Sequence, residues 1–404
     1  MKKLILFFFI PLASVDIAVH GFALFSNGIG RVTIGYLDAF SDFNISLIET
    51  RKLSNLVDLN NNVSKIVNQR NQKKNYEINF FTDNFFADRE MKIKLYKNIN
   101  TKNLNFCISM CESDKIPNKW VKVINSIFDA VIVPDLYHVN NYINCGVLKP
   151  IFVLPLITYF DDLIECYPEK KKEDKIIIGS LGALSYNKNL DAVIESFSLA
   201  FKDNLIYELR IHSYWYNFHY ERLKKKITDL GIESQVLLTC GPLTNKECAD
   251  FIKNLNCYIN LSSGEGYSFT PRESLAYGIP VVISNNTAHI SLCNSNLFYS
   301  VNCPIVEKSL GEFVGDDTGN CFKVDVDEAA KKLIEACSEI SNIYLINKRK
   351  IFANTFSKNN LISYYLQLIK PTFIELSDKD IICNNKILTT SKALVSKYQK
   401  ILGF

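Results

Sequence analysis

The stretch LSSGEGYSFTPRESLAYGIPVVIS, residues 261–284, is the most informative part of the sequence. It holds two glutamates, Glu265 and Glu273, with a Gly-Tyr-Ser turn at residues 266–268 between them. The turn runs into a short helix and then into an apolar strand, which predicts the order strand, turn, helix, strand. This order brings free backbone N–H groups and a helix N-terminus to the carboxyl edge of a parallel sheet, where a phosphate is bound favourably.

The same stretch also has a purely structural interpretation. Thr270, Pro271 and Glu273 have the spacing of a capping box with proline at the first helical position. Glu273 would then satisfy a backbone N–H group, and Glu265 would be an ordinary loop carboxylate beside a glycine. A helix cap and a ligand contact are compatible roles for Glu273, so this pattern leaves both open.

The composition is that of a globular protein with more than one domain. The chain has 404 residues, of which 48% are hydrophobic and 22% charged, which excludes a disordered protein. A formal net charge of +4 does not indicate a nucleic-acid partner. Twelve cysteines without a CxxC pair favour reduced thiols over a zinc site or a disulfide framework.

Two series of alternating strands and helices predict an α/β protein with two parallel sheets. We place an N-terminal domain at residues 1–166 and a charged, proline-marked linker, YPEKKKEDK, at residues 167–175. A second domain follows at residues 176–356. Residues 357–404 form a crossover helix and a tail to which we assign no function.

The N-terminal run MKKLILFFFIPLAS has two interpretations. Two lysines before an apolar run are typical of a signal peptide, but no Ala-x-Ala cleavage site follows, and the run is too short to span a bilayer. We therefore assign residues 4–10 to the first buried strand. This strand would lead into the glycine loop Asn27-Gly28-Ile29-Gly30.

Other candidate site residues also follow predicted strands. Lys188 opens an amphipathic helix after a strand that ends in glycines, and Gly241 follows a later strand. In the first domain, Glu112, Ser113 and Asp114 come just after a strand and before a helix. Lys188 has an alternative explanation as a solvated lysine, and Gly241 as part of an ordinary loop. Ser113 or Asp114 would equally serve as a helix cap.

Together these blocks resemble the signature of the family 4 glycosyltransferases, which are retaining enzymes of the GT-B fold that use nucleotide sugars. The resemblance implies two Rossmann-like domains that face each other across a cleft. It implies that Glu265 faces the donor sugar and that Glu273 binds the nucleotide ribose. It also implies that the glycine turn, Gly266, Tyr267 and Ser268, approaches the diphosphate.

The resemblance further assigns the groups around the donor diphosphate and base. Lys188 matches a lysine that meets the diphosphate, and Gly241 lies where the backbone contacts the nucleobase. The arginine expected five or six residues before the lysine is absent, because Gly182 and Ala183 occupy that place. Loss of one charge-assisted hydrogen bond costs about 1.5–3 kcal/mol, which weakens donor binding without abolishing it.

Residues of the first domain would face the donor from across the cleft. By the resemblance, Gly28 and Gly30 approach the donor, and Glu112, Ser113 and Asp114 position the acceptor hydroxyl or the transferring sugar.

Two histidines have simpler explanations. His138 lies on a predicted helix and is expected at the surface. His212 ends a strand and either lines the site or belongs to the core.

The predicted function is sugar transfer from a nucleotide-diphosphate sugar to a glycan or lipid-linked acceptor, with Glu265, Lys188 and Glu112 as catalytic residues. Retention follows from the resemblance. We expect no cofactor and no metal, because no Asp-x-Asp ends a strand. We expect the protein in the cytoplasm, free or in peripheral contact with the inner face of the membrane. Two alternatives stay open: a catalytically degenerate glycosyltransferase-like subunit, and a nucleotide-sugar epimerase on the same fold.

Overall fold

The computed structural model describes residues 15–51, 59–72, 75–83, 99–159, 175–309 and 318–369, together with residues 394, 397 and 401. The first predicted strand, residues 1–14 as a whole, most of the predicted linker and most of the tail lie outside these described residues.

The first domain is built on a parallel sheet. Its elements are β1 (Asp16–Gly21), α1 (Gly28–Ala39), β2 (Asn44–Glu49), α2 (Asn61–Asn68), β3 (Ile78–Phe81), β4 (Leu104–Ile108), α3 (Asn118–Ile127), β5 (Ala130–Val133), α4 (Tyr137–Asn144) and β6 (Ile151–Val153). The described strands pair in the order β2-β1-β3-β4-β5-β6, and every pair is parallel. The order reverses between β1 and β3, so the loop after β1 opens at a switch point of the sheet.

The second domain has the same architecture. Its elements are β7 (Ile176–Leu181), α5 (Leu190–Phe201), β8 (Tyr207–Ser213), α6 (Phe218–Leu230), β9 (Val236–Cys240), α7 (Asn245–Lys253), β10 (Cys257–Asn260), α8 (Phe269–Ala276), β11 (Val281–Ser284), α9 (His289–Cys293), β12 (Tyr299–Val301), β13 (Ile305–Lys308), β14 (Asn320–Lys323), α10 (Val326–Ser338), α11 (Ile343–Asn354) and α12 (Lys358–Gln367). The parallel strands are ordered β12-β11-β10-β7-β8-β9, and β13 and β14 form a separate antiparallel pair. The switch point lies between β7 and β10, which places the loops after these two strands side by side.

Helix α12 returns to the first domain. Leu361 and Tyr365 are buried in the hydrophobic core of that domain, where the rings of Tyr365 and Tyr36 are 5.0 Å apart. The hydroxyl of Tyr365 donates to the carbonyl oxygen of Pro155 over 3.1 Å. Helix α12 is therefore fixed to the first domain.

The predicted fold class is confirmed: the protein is α/β, with two parallel sheets in two domains. The strand predicted at residues 4–10 lies outside the described residues. The strand that leads directly into the glycine loop is β1. Asp16 and His20 interrupt its apolar pattern, and this hid the strand, although His20 is accommodated by a 3.0 Å hydrogen bond to Asn79 and by stacking on Phe81.

Two further properties bear on the predictions. Within the described residues, no helix combines the length and apolar character that crossing a bilayer requires. The ten cysteines that the structure describes are free thiols.

Candidate active site

The glycine turn lies where β10 meets α8, at the switch point of the second sheet. Ser268 adopts a left-handed backbone conformation with φ of 67°, and α8 begins immediately after it, at Phe269. Among the described residues, the N–H groups of Gly266, Tyr267 and Ser268 have no hydrogen-bond acceptor. The turn therefore presents three free donors at a helix N-terminus, the arrangement that binds a phosphate.

The alternative interpretation of this helix start as a capping box of Thr270 and Glu273 is wrong. The N-cap residue is Ser268, and it makes no side-chain capping hydrogen bond. Because the helix begins one residue before Thr270, Glu273 lies in its second turn, and its carboxylate bonds to the guanidinium of Arg31 rather than to a backbone N–H group of the helix start. Glu273 is thus released from a capping role.

Arg272 fixes the shape of the turn from inside the protein. Its guanidinium donates to the carbonyl oxygens of Tyr267 and Ser268, the latter over 2.8 Å. The same group lies 3.7 Å from the centre of the Tyr267 ring, and its side chain is 1% exposed. Arg272 was not among the predicted site residues, although an arginine in a buried helix is a signal that its charge has a partner.

The first domain binds the same turn from the other side. Nε2 of His138 lies 2.6 Å from the carbonyl oxygen of Gly266, and the hydroxyl of Tyr267 donates to the carbonyl of Leu156 over 2.8 Å. A side chain on Gly264 would place its Cβ only 1.8 Å from the carbonyl oxygen of Glu112, so this contact between the domains requires glycine.

The prediction of a surface position for His138 is wrong. The residue is fully buried, because the face of α4 that carries it packs against the second domain. Burial lowers the pKa of His138, which keeps the ring neutral with Nε2 as the donor to Gly266.

Two carboxylates from different domains flank the Lys188 ammonium. Nζ of Lys188 is 2.8 Å from Oε1 of Glu265 and 3.6 Å from Oε1 of Glu112. Ser262 donates to Glu265 over 2.7 Å, and Asn187 donates to Glu112 over 2.6 Å. The structure thus brings together the three residues that were predicted to be catalytic.

The protonation of these groups follows from their surroundings. Burial alone would raise the pKa of Glu265, but the Lys188 ammonium holds it below its ordinary value. Desolvation in the cleft raises the pKa of Glu112, and Lys188 offsets this only in part. Burial opposes charge on Lys188, yet the two carboxylates raise its pKa above the ordinary value. Lys188 and Glu265 are therefore a charged pair at neutral pH.

Glu265 is also held through its backbone. Its N–H group donates to Oγ1 of Thr287 over 2.8 Å. The nearby His289 is fully buried, with Nδ1 at 3.1 Å from the carbonyl oxygen of Ser284, and Nε2 has no partner among the described residues. Burial lowers the pKa of His289 to about 4.

Glu273 faces the first domain as well. Its carboxylate accepts a hydrogen bond from the guanidinium of Arg31, which lies in the first turn of α1. The guanidinium carbon of Arg31 is 4.3 Å from the centre of the Phe269 ring. Glu265 and Glu273 therefore both lie where the two domains face each other, and Arg31 is a contact of Glu273 that the sequence did not predict.

The two glycines of the first-domain loop differ in what surrounds them. A Cβ on Gly28 would meet nothing within 4 Å, whereas a Cβ on Gly30 would lie 2.3 Å from the carbonyl oxygen of Leu24. Asn27 accepts hydrogen bonds from the N–H groups of Ile29 and Gly30 and begins α1. Gly28 thus borders open space, and Gly30 is required by packing within the domain.

The predicted donor-binding residues Gly182, Ala183 and Gly241 follow β7 and β9, at the carboxyl edge of the second sheet. Gly182 donates to the carbonyl of His212 over 3.1 Å, and Ala183 is exposed. Nδ1 of His212 is 2.8 Å from Oγ1 of Thr239, and its Nε2 is 2.9 Å from the carbonyl oxygen of Gly241. Of its two predicted roles, His212 therefore takes the structural one, because both ring nitrogens are used to hold the Gly241 loop.

Ser113 and Asp114 do not cap a helix, and both side chains form hydrogen bonds within the protein. Helix α3 begins at Asn118 without a side-chain capping bond. Asp114 accepts from the N–H group of Asn320 over 2.7 Å and from its amide nitrogen over 2.9 Å, while Ser113 donates to the carbonyl of Lys115 over 2.9 Å. Asp114 thereby fixes β14 of the second domain to the first domain.

A cavity of about 520 Å³ adjoins Glu112. It lies between the loop at Ser113 and the hairpin of β13 and β14, and Trp120, Tyr186 and Val324 contribute to a wall that is largely apolar. Within the described residues, no cluster of three histidine, cysteine or acidic side chains is arranged to hold a metal ion.

Comparison with known proteins agrees with this geometry. Residues 167–296 match the family of Glycosyl transferases group 1. A stretch of 119 residues is 29% identical to alpha-monoglucosyldiacylglycerol synthase of Streptococcus pneumoniae and covers 30% of this chain. That stretch spans only 26% of the length of the streptococcal enzyme.

The fold as a whole is similar to solved structures of low sequence identity. Sucrose-phosphate synthase from Thermosynechococcus elongatus superposes with a TM-score of 0.66 at 12% identity, covering 89% of this chain and 100% of that one. HepE from Anabaena, solved in complex with UDP, gives a TM-score of 0.62 at 12% identity over 90% of this chain and 100% of that one. The chain therefore has the GT-B fold, and its residues 167–296 are similar to the Glycosyl transferases group 1 family.

Proposed function

We propose that the protein transfers a sugar from a nucleotide-diphosphate sugar to a glycan or lipid-linked acceptor. The observation that carries this proposal is the position of Lys188 between Glu265 and Glu112, at the edge of the sheet where the glycine turn presents its free N–H groups. A cation beside a helix N-terminus stabilises the charge that grows on a leaving diphosphate without needing a metal ion.

Each residue has a defined task in the proposed reaction. As the bond between the anomeric carbon and the diphosphate oxygen breaks, positive charge develops on the sugar and negative charge on the leaving group. Lys188 and the turn would stabilise the diphosphate, and Glu265 would face the sugar. Glu112 would orient the acceptor hydroxyl, which suits a carboxylate whose side chain remains 40% exposed to the cleft. We propose retention of configuration, by resemblance to the family 4 enzymes.

The acceptor is proposed to approach from the first domain. The cavity beside Glu112 offers space and apolar wall for it. A lipid-linked acceptor is favoured because the streptococcal relative is named for a glucosylated diacylglycerol. A lipid acceptor would also bring the protein to a membrane surface.

One experiment separates this proposal from its two alternatives. Purified protein is incubated with UDP-glucose and with other nucleotide sugars, with and without diacylglycerol vesicles and with and without EDTA. A transferase releases nucleoside diphosphate and glycosylates the lipid. An epimerase interconverts the sugar without acceptor, and a degenerate subunit binds nucleotide without turnover.

Matched variants locate the activity. Glu265→Gln is expected to lower kcat by about 100-fold or more, because it removes a preorganised charge at the reacting sugar. Glu335→Gln, on the exposed face of α10, is the control and should leave kcat unchanged. Equal rates in both variants would contradict the assignment of Glu265, and turnover abolished by EDTA would contradict metal independence.

A further inference from the structure

We infer that Arg31 is a second diphosphate ligand, supplied by the first domain in place of the cation that is absent at Gly182 and Ala183. This inference rests on the proposed function. It goes beyond it by assigning a donor contact to a residue of the opposite domain.

The position of Arg31 places its charge at the diphosphate end of the site. The guanidinium lies over the ring of Phe269, the first residue of α8, and contacts Glu273 one turn further along the same helix. The glycine turn with its three free N–H groups directly precedes Phe269. Arg31 is thus next to the group of donors that is suited to a phosphate.

The hydrogen-bonding capacity of Arg31 is not exhausted. Its Nε is buried and has no acceptor among the described residues. The Arg31 side chain as a whole is 16% exposed. A planar guanidinium binds phosphate oxygens in a bidentate manner, which an ammonium does not.

Charge balance favours an exchange of partners. Lys188 already faces the carboxylates of Glu265 and Glu112, so its single ammonium does not neutralise a diphosphate by itself. When the donor ribose takes Glu273, Arg31 loses its carboxylate and is left with an unpaired, largely buried charge. The diphosphate then replaces the carboxylate as its partner, since a buried charge without a partner is costly.

The exchange has a structural consequence. Lys188 belongs to the second domain and Arg31 to the first, so a diphosphate bound by both joins the two domains. Binding of the diphosphate, rather than of the nucleoside, would then hold the cleft closed.

Isothermal titration of the full-length protein tests the inference. UDP, ADP and GDP are titrated first, and the tightest of them is compared with its monophosphate. The variants are Arg31→Gln, Arg31→Lys and the control Arg210→Gln, which removes an arginine in the middle of β8 that pairs with Glu208. Far-UV circular dichroism verifies that each variant is folded.

Arg31→Gln is expected to weaken diphosphate binding about 10- to 100-fold, the equivalent of one lost charge-assisted hydrogen bond. Monophosphate binding should weaken less. Arg31→Lys keeps the charge but not the planar guanidinium, so its diphosphate affinity should lie between those of wild type and Arg31→Gln. If the glutamine variant does not fold, the comparison of Arg31→Lys with wild type provides the test. Arg210→Gln should bind like wild type.

The sign of the effect decides between two roles for Arg31. If Arg31 merely occupies Glu273 in the free protein, Arg31→Gln will bind the diphosphate as tightly as wild type or more tightly, and the inference is overturned while the proposed function stands. If wild type binds none of the three diphosphates, the proposed function fails and the inference fails with it.

Discussion

Nε2 of His138 lies 2.6 Å from the carbonyl oxygen of Gly266, and this hydrogen bond joins α4 of the first domain to the glycine turn of the second. His138→Ala removes the donor and leaves a buried carbonyl unpaired. We expect the free energy of unfolding to fall by about 2–3 kcal/mol, and donor binding to weaken with it. Urea denaturation measures the free energy of unfolding, and calorimetric titration measures donor binding. His138→Gln retains an N–H donor and should recover part of both losses; equal stability of wild type and the alanine variant would contradict the role assigned to this bond.

Lys188 and Glu265 form a pair that a double-mutant cycle should reveal. Lys188→Met leaves the carboxylate of Glu265, whose side chain is 6% exposed, without its cation. We expect a loss of about 3 kcal/mol in stability, and a recovery of about 1 kcal/mol or more when Glu265→Gln is added. Urea unfolding of all four proteins gives the coupling energy.

The control for this cycle is the surface pair Lys225 and Asp229, whose side chains are 75% and 59% exposed. Lys225→Met and Asp229→Asn should couple by less than about 0.5 kcal/mol, because water screens exposed charges. A coupling energy for Lys188 and Glu265 as small as this would show that the pair contributes no specific stability.

Gly28 and Gly30 should respond in opposite ways to the same substitution. Gly30→Ala forces its Cβ against the carbonyl of Leu24 and should cost about 1–3 kcal/mol in stability. Gly28→Ala meets no neighbour, so stability should change by less than about 1 kcal/mol while the donor binds more weakly. Thermal unfolding and nucleotide titration check both expectations, and a Gly28→Ala variant with undiminished donor affinity would remove Gly28 from the site.

Acid should destabilise the protein through His289. The folded pKa of about 4 lies below the ordinary value of 6.5, so the unfolded chain binds a proton that the folded protein does not. The contribution to stability is therefore complete above pH 6.5 and is lost as the pH falls towards 4. Between pH 7 and pH 5 this amounts to about 2 kcal/mol.

The matched variant is His289→Asn, whose amide keeps a donor to the carbonyl of Ser284. Unfolding free energies of both proteins at pH 7 and pH 5 should show a smaller decrease in the variant. Parallel pH dependences would mean that another group causes the acid sensitivity.

Restoring the absent arginine should depend on Arg31. In wild type, Ala183→Arg would add a third cation beside Lys188 and Arg31, which we propose bind the diphosphate, and we expect less than a fivefold gain in affinity. In the Arg31→Gln background the same change should restore affinity about 10-fold, the value of one charge-assisted hydrogen bond. Calorimetric titration of the four proteins provides the comparison, and strictly additive effects would contradict a shared ligand.

The parts of the site that the sequence predicts are those built from local patterns. The glycine turn, Glu265, Lys188 and Glu112 each follow a buried strand, and parallel strands bring their carboxyl ends to one edge. The structure then places these residues together because the two domains present such edges to each other. Most of the predicted site residues could therefore be found from the spacing of strands, turns and helices in the sequence.

The contacts that the sequence does not predict join residues far apart in the chain. Arg31 and Glu273 are separated by 242 positions, Asp114 and Asn320 by 206, and these pairs depend on how the domains are oriented. A count of cations near the predicted phosphate loops would have singled out Arg31, which directly follows Gly30. The burial of His138 gave no comparable signal, since its helix also has an exposed face.

Tyr267 has a mechanical consequence for the whole molecule. Its ring is buried in the core of the first domain. The guanidinium of Arg272 lies over the rings of both Tyr267 and Phe356. The carbonyl of Phe356 accepts a hydrogen bond from the N–H group of Thr158, where the chain crosses between the domains. We expect any rotation of the domains that widens the cleft to withdraw the Tyr267 ring from the core of the first domain. Exposing the ring to water would cost about 2 kcal/mol. The glycine turn and the segments where the chain passes between the domains are thus packed against each other through Tyr267, Arg272 and Phe356.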